Sequence, residues 1–355
     1  MPMSAFVDSQ RRSACLTDCS HPVDAKPSAR RTPVHRCRRS CRLSLQSCTH
    51  SSNTMNATVG CRTVEMHDVD SATRFPMNVL YPCSGIEQPE RFGPYISNVC
   101  MNGPVASGSF PLVVISHGSG GSPHTHRMLG ADLARNGFIV AMIEHFGNNR
   151  SNNELADTAT NLEMRPRHGR AAINWVHADE ALRDSLVRDC AAVIGHSIGG
   201  YTALVLAGGL PTSVPHDSPG GVRHSIPVTA DARVKSIILL APATPWFMAP
   251  GALRNVRVPI LMFTGDSDAQ TNAMHARWVS EGVRAATLVD HRVVQNAGHY
   301  SFLSPFPPEM TSPGFAPSQD PPGFDRERFH EQMYLEIRAF LDRTLCCGRN
   351  CYLDS

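Results

Sequence analysis

The sequence predicts an α/β domain: a mostly parallel sheet with helices on both faces. Three observations predict it. From residue 61 onward, short apolar, β-branched runs alternate with longer helical stretches, as parallel strands joined by crossover helices do. The central runs, Leu112–Ser116, Ile139–Glu144 and Ala191–Gly195, are almost wholly apolar, which fits strands covered on both sides. One of them runs into Gly195-His-Ser-Ile-Gly199, a lone serine between glycines where a strand pattern stops and a helix pattern starts.

Taken in order, the strands are expected at Arg62–His67, Phe75–Tyr81, Leu112–Ser116, Ile139–Glu144, Ala191–Gly195, Val234–Leu240, Ile260–Thr264 and Leu288–Val294. That makes a sheet of eight. Helices are expected at His126–Asn136, Arg167–Val187, Ile198–Gly208, Asn272–Glu281 and Asp325–Leu345. The last carries Phe329, Met333, Ile337, Phe340 and Leu341 at helical spacing,. Pro211–Gly221 and Pro305–Gly323, rich in proline and glycine, read as loops within one domain,.

Composition narrows the function classes. Of 355 residues, 18% are charged and the net charge is +2, below the usual charged share of about 25%, so the main body offers no nucleic-acid surface. Residues 1–54 hold nine Arg/Lys against three Asp and show no periodicity. Such a segment buries too little apolar surface to offset its ordering entropy. It is expected to be a disordered tail, with the folded domain at 55–355 and Met55 reading as an ordinary start. Cys15-x₃-Cys19 and Cys37-x₃-Cys41, near His21, His35 and His50, match no common zinc-finger spacing,. No run of about 18 apolar residues suggests a membrane span, and no apolar leader core is visible. The scattered cysteines read as reduced thiols, and the expected location is cytoplasmic.

The chemistry gathers at the serine. Gly195-His-Ser197-Ile-Gly199 fits the G-x-S-x-G elbow, in which a strained strand-to-helix turn projects the serine hydroxyl above the strand ends. The glycines are needed because side chains two positions either side would collide. A serine nucleophile needs a base, and the base an orienting carboxylate. Pro259–Asp268 is a strand that breaks at Gly265 into two acids. Asp268 is the expected orienting acid and Asp266 the alternative, which otherwise caps the turn. His299, in a loop after the last strand and before the last helix, is the expected base. The N–H groups of Ser119, in the loop after the third strand, and of Ile198, at a helix start, are the expected oxyanion donors. His117 reads as a packing residue. His124 and His126 diverge on a turn, so a metal pair is not expected there.

These motifs, in this order, resemble the α/β-hydrolase fold, and within it the dienelactone-hydrolase-like group that includes platelet-activating-factor acetylhydrolases. The resemblance spans about Gly60 to Leu345. It rests on Val114-Ile-Ser-His-Gly-Ser-Gly-Gly121, on Asp132-Leu-Ala-Arg-Asn-Gly-Phe-Ile-Val-Ala141 with Glu144-His145, and on Gly195-His-Ser-Ile-Gly-Gly200. It implies serine-ester hydrolysis through Ser197, Asp268 and His299 and an acyl-enzyme, with no metal or organic cofactor. Dienelactone hydrolases use a cysteine nucleophile, so lactone specificity does not carry over. The loop Asn296–Phe302 also differs from that expected of animal acetylhydrolases.

The expected partner is a small-molecule ester or amide with a small or medium acyl group. An amidase using the same triad, or a non-catalytic binding protein on this scaffold, are the rival readings. A short cap, Ala241–Pro250, follows the sixth strand. Its Trp246, Phe247 and Met248 are expected either as acyl-pocket walls or as ordinary core, with His145 and Tyr300 at the edge of the site.

Overall fold

A ten-stranded sheet organises the chain, in the order β10-β9-β8-β7-β5-β6-β2-β1-β4-β3. The computed structural model describes residues 57–345 apart from residue 286. The tail at residues 1–54, Met55 as a start and the cysteine pairs at 15/19 and 37/41 lie outside the described residues. In chain order the strands are β1 Thr58–Asp68, β2 Thr73–Cys83, β3 Gln88–Phe92, β4 Tyr95–Met101, β5 Phe110–Ser116, β6 Ile139–Ile143, β7 Leu186–His196, β8 Val234–Leu240, β9 Ile260–Gly265 and β10 Val289–Val294. The helices are α1 Arg127–Arg135, α2 Ala159–Ala178, α3 Ile198–Leu206, α4 Ala273–Gly282 and α5 Arg326–Thr344. From β10 to β6 every pairing is parallel. β2 is antiparallel to both β6 and β1.

The alternation of strand side chains divides the core into two layers. Val114, Val193, Ile237 and Met262 face one way, onto Ile173, Leu204 and Val279 of α2, α3 and α4. Their chain neighbours Val113, Ile194, Ile238 and Phe263 face the other, onto Leu133 of α1 and Met333, Ile337 and Phe340 of α5. Both faces are therefore sealed, and polar side chains gather where the sheet ends.

Two sequence expectations are corrected. The sheet has ten strands rather than eight because β3 and β4 form a hairpin that is half exposed. An edge strand of this kind carries no apolar alternation to betray it. The helix expected at Arg167–Val187 runs instead over Ala159–Ala178. It starts at a Thr158 cap, whose hydroxyl accepts from the Asn161 N–H at 3.1 Å,. Pro166 lies inside it. Proline has no N–H for the carbonyl four residues back, and the Tyr201 hydroxyl donates to that carbonyl, of Leu162, at 2.9 Å. Tertiary packing thus satisfies what the helix itself cannot.

Candidate active site

Ser197 is the single residue between β7 and α3. Its backbone sits at φ 53°, ψ −121°, a conformation that costs about 1–3 kcal/mol and persists only where the surroundings dictate it. The surroundings do. A Cβ on Gly195 would stand 2.0 Å from the Gly199 carbonyl oxygen, and one on Gly199 would stand 2.0 Å from that of Ser116. With β5, β7 and α3 this close, the chain has to turn within one residue, and the Ser197 side chain is turned into an open cleft. The elbow is fixed on both sides: the Ser197 N–H donates to Leu240 at 3.0 Å and its carbonyl accepts from Ala243 at 2.9 Å.

The His299 ring lines the same cleft. Its Nδ1 lies 2.9 Å from Asp268 Oδ2 and 3.2 Å from Thr271 Oγ1, so Nε2 is the ring nitrogen that Asp268 does not engage. Asp268 is buried and fully engaged. Its Oδ1 accepts from the N–H groups of Gln270 and Thr271, both at 2.8 Å, and its Oδ2 also accepts from the Thr271 hydroxyl at 2.7 Å. Burial alone would raise this carboxyl, but the bond and charge of His299 and the bonds from Thr271 outweigh it and hold the group well below the usual carboxylate range,. Asp266 is occupied elsewhere, accepting from the Asn296 N–H at 2.7 Å and from Ser267 at 3.1 Å. It ties two loops together.

Residues that sequence reasoning missed brace the His299 loop. His196 Nε2 lies 3.0 Å from the His299 carbonyl, and His330 Nε2 of α5 lies 2.9 Å from that of Ser301. The Ser301 hydroxyl accepts from Gly298 at 3.0 Å and donates to Asp320 at 2.9 Å. Only His196 had a signal, its place inside the elbow motif.

Ser119 lies on the loop after β5, at the rim of the cleft. Neither its N–H nor that of Ile198 donates to a backbone carbonyl among the described residues. The Ser119 side chain is not idle: its hydroxyl accepts from Asn148 Nδ2 at 2.8 Å.

Beneath this loop lies a second polar group. Arg165 of α2 is fully buried. It donates to the His117 carbonyl, to Asn148 Oδ1 at 2.6 Å, to Ser116 at 3.3 Å and to Thr202 of α3 at 3.3 Å. Burial lowers its pKa to about 9, so it stays a cation at neutral pH. Around it, His145 Nε2 lies 2.8 Å from Ser116 Oγ and His145 Nδ1 lies 3.2 Å from His168 Nδ1. Burial and the Arg165 charge push the His117 imidazole down to about 3 and that of His145 well below 6.5.

The cleft holds about 420 Å³. Tyr95, Leu303, Phe306 and Phe315 give it an apolar wall, while Arg150, Gln270 and Tyr300 add polar atoms. Of the residues expected to border substrate, Tyr300 does line the cleft, and its ring meets His299 edge-on at 5.2 Å. His145 does not, because it is sealed beneath the Ser119 loop. Trp246 and Phe247 are core: they pack on Tyr201 at 5.0 and 5.6 Å, and Trp246 Nε1 donates to Asp217 at 2.7 Å. Met248 is partly exposed but away from the cleft. The wall comes instead from the Pro305–Gly323 loop and from β4. His124 and His126 separate, the first meeting Asn78 at 3.2 Å and the second turning inward. Among the described residues no group of three or more His, Cys, Asp or Glu is placed to hold a metal. None of their helices is long and apolar enough to cross a membrane.

Comparison with known proteins bears on the fold. Residues 111–216 match the family model for the alpha/beta hydrolase fold. The chain is similar to platelet-activating factor acetylhydrolase of Canis lupus familiaris, 31% identical over 157 residues, covering 32% of this chain and 35% of the relative. The Bos taurus protein of the same name is 28% identical with the same coverage. The chain thus spans about a third of the length of the curated relatives it matches. Among solved structures, a ferulic acid esterase from Streptomyces cinnamoneus superposes with a TM-score of 0.61 at 19% identity, covering 86% of this chain and 95% of the other.

Proposed function

We propose that this chain, which has the α/β-hydrolase fold and resembles platelet-activating factor acetylhydrolases, is a serine esterase acting on small carboxylic esters through Ser197, His299 and Asp268. The observation that carries the reading is the 2.9 Å contact of His299 Nδ1 with a buried, four-times-bonded Asp268, behind a cleft that Ser197 and His299 share. A fold hosts many functions, so the site and not the fold supports the chemistry.

In this reading Asp268 fixes the His299 ring with Nε2 toward the cleft. His299 takes the proton of Ser197 as the hydroxyl oxygen attacks the ester carbonyl. The negative charge gathers on the former carbonyl oxygen, where the Ser119 and Ile198 N–H groups donate to it. His299 then gives the proton to the leaving alkoxide, and the alcohol departs from an acyl-serine. Water, deprotonated by His299, attacks the acyl carbon, and Ser197 leaves with the proton as the carboxylic acid is freed. Strain at Ser197 is held by glycine contacts and does not have to be created during the reaction.

The test is a panel of aryl and alkyl esters of graded acyl length, each beside its matched amide, with Ser197→Ala as control. Ester turnover that Ser197→Ala abolishes is expected. Faster turnover of the amides would make the enzyme an amidase. Full turnover by Ser197→Ala would end the proposal.

A further inference from the structure

We infer that the cleft prefers esters that carry an anion, and that Arg150 is the side chain that recognises it; the inference rests on the esterase reading above. The lining of the cleft holds one arginine and, among the described residues, no carboxylate. None of the ion pairs among the described residues includes Arg150. Most other arginines near the site are already committed. Arg165 is consumed by the loop beneath, Arg326 pairs with Asp320, and Arg127 donates to the Pro305 carbonyl.

The backbone of Arg150 is also held in place, while its side chain is exposed. Its N–H donates at 2.7 Å to the carbonyl of Gly121, on the same loop as Ser119. Asn149 Oδ1 accepts from the N–H groups of Ser151 and Asn152, both at 2.9 Å, which closes the turn that carries it. The guanidinium stands over the Phe315 ring, 5.5 Å from its centroid. A cation–π contact of this kind keeps the guanidinium near the ring without consuming its N–H donors. Tyr95 and Phe306 continue the wall, with rings 6.5 Å apart. The cleft therefore offers an apolar surface ending in an exposed cation that no carboxylate pairs among the described residues. The complement is an ester with an apolar, ideally planar, body and a terminal carboxylate or phosphate, which a guanidinium meets through charge-assisted bonds.

The experiment measures acetate release from 4-acetoxybenzoate and from its methyl ester, which share a ring and a scissile bond but differ in charge. 4-Acetoxyphenyl phosphate is the third substrate. The native chain is expected to favour the carboxylate or the phosphate over the neutral ester by about tenfold in kcat/KM, mostly through KM. The better of the two anions identifies the natural group. Arg150→Gln is expected to bring that ratio near one, while Arg150→Lys keeps part of it. An anion-to-neutral ratio that is the same in the native chain and Arg150→Gln overturns the inference and leaves the esterase reading intact, provided Ser197→Ala is inert. If no ester is turned over faster than by Ser197→Ala, the esterase reading fails and the inference goes with it.

Discussion

Two groups of histidines flank the end of β5, and they keep opposite electrical company. On one side His299 edges the cleft with Asp268 behind it at 2.9 Å. On the other, His117, His145 and His168 are sealed around the Arg165 guanidinium. The nearest carboxylate there, Asp68, stands 4.0 Å from His168 and is drawn off by Arg167 at 3.1 Å. An imidazole backed by a carboxylate in reach of a cleft is equipped to accept a proton. An imidazole beside a buried cation is kept from one. Under the proposed function, the same residue type is a reaction partner in one place and a neutral hydrogen-bonding strut in the other.

The sharpest way to break this contrast is to remove one histidine from each side. His299→Ala is expected to lower kcat for ester hydrolysis by about 10⁶, with some stability lost as well because buried Asp268 loses a partner,. His145→Ala is expected instead to keep turnover while losing about 2–3 kcal/mol as Ser116 and the packing around it lose a partner. Steady-state kinetics and denaturant melts on both proteins decide it. Asp268→Asn should cost about 10⁴ in kcat, by leaving the His299 ring in the wrong tautomer. Asp266→Asn, whose bonds go to the Asn296 turn, should leave kcat nearly as it was; equal losses would show that the wrong acid has been assigned.

On the sealed side, Arg165→Met removes a cation that four groups depend on. About 3 kcal/mol of stability should go with it, since the His117 carbonyl and Asn148 lose their donor in a dry site. Urea unfolding measures the loss. A smaller effect separates the two groups by pH. Burial takes the imidazoles of His117, His126 and His168 down to about 3 from 6.5. Below pH 6.5 the unfolded chain binds protons that the folded chain refuses. Their contribution is therefore whole above pH 6.5 and drains away as the pH falls toward 3, by about 2 kcal/mol per imidazole at pH 5. The depressed carboxyl of Asp268 has the same sign, but its share is lost only below the ordinary carboxylate range near 4. Unfolding measured from pH 7.5 to 5 should slope downward with acid, and His168→Gln should make the slope shallower.

Sequence reading succeeded where the signal is local. The apolar runs of β5 to β9 announce themselves because both faces are buried along almost their whole length. Ser197 was legible because its turn demands glycine at positions 195 and 199, a steric requirement written into five adjacent residues. The β3–β4 hairpin was not legible, since half-exposed strands tolerate Gln, Glu and Asn. Pro166 hid the start of α2 for another reason: the hydroxyl that compensates for it comes from Tyr201, thirty-nine positions beyond the Leu162 carbonyl it bonds.

The aromatic triplet at Trp246–Met248 shows the limit from the other direction. Its composition suits a pocket wall and a core equally, and the choice fell to Tyr201 and Asp217, which bring Trp246 inward. By itself the sequence determined the sheet's parallel heart and the serine elbow, because close contact and burial restrict residue type position by position. Only the tertiary structure decided which acid meets His299, which rings line the cleft and which histidines are walled in with Arg165. Those outcomes depend on loops meeting across the sheet end, where side-chain direction and neighbouring charge, not residue type, set the chemistry.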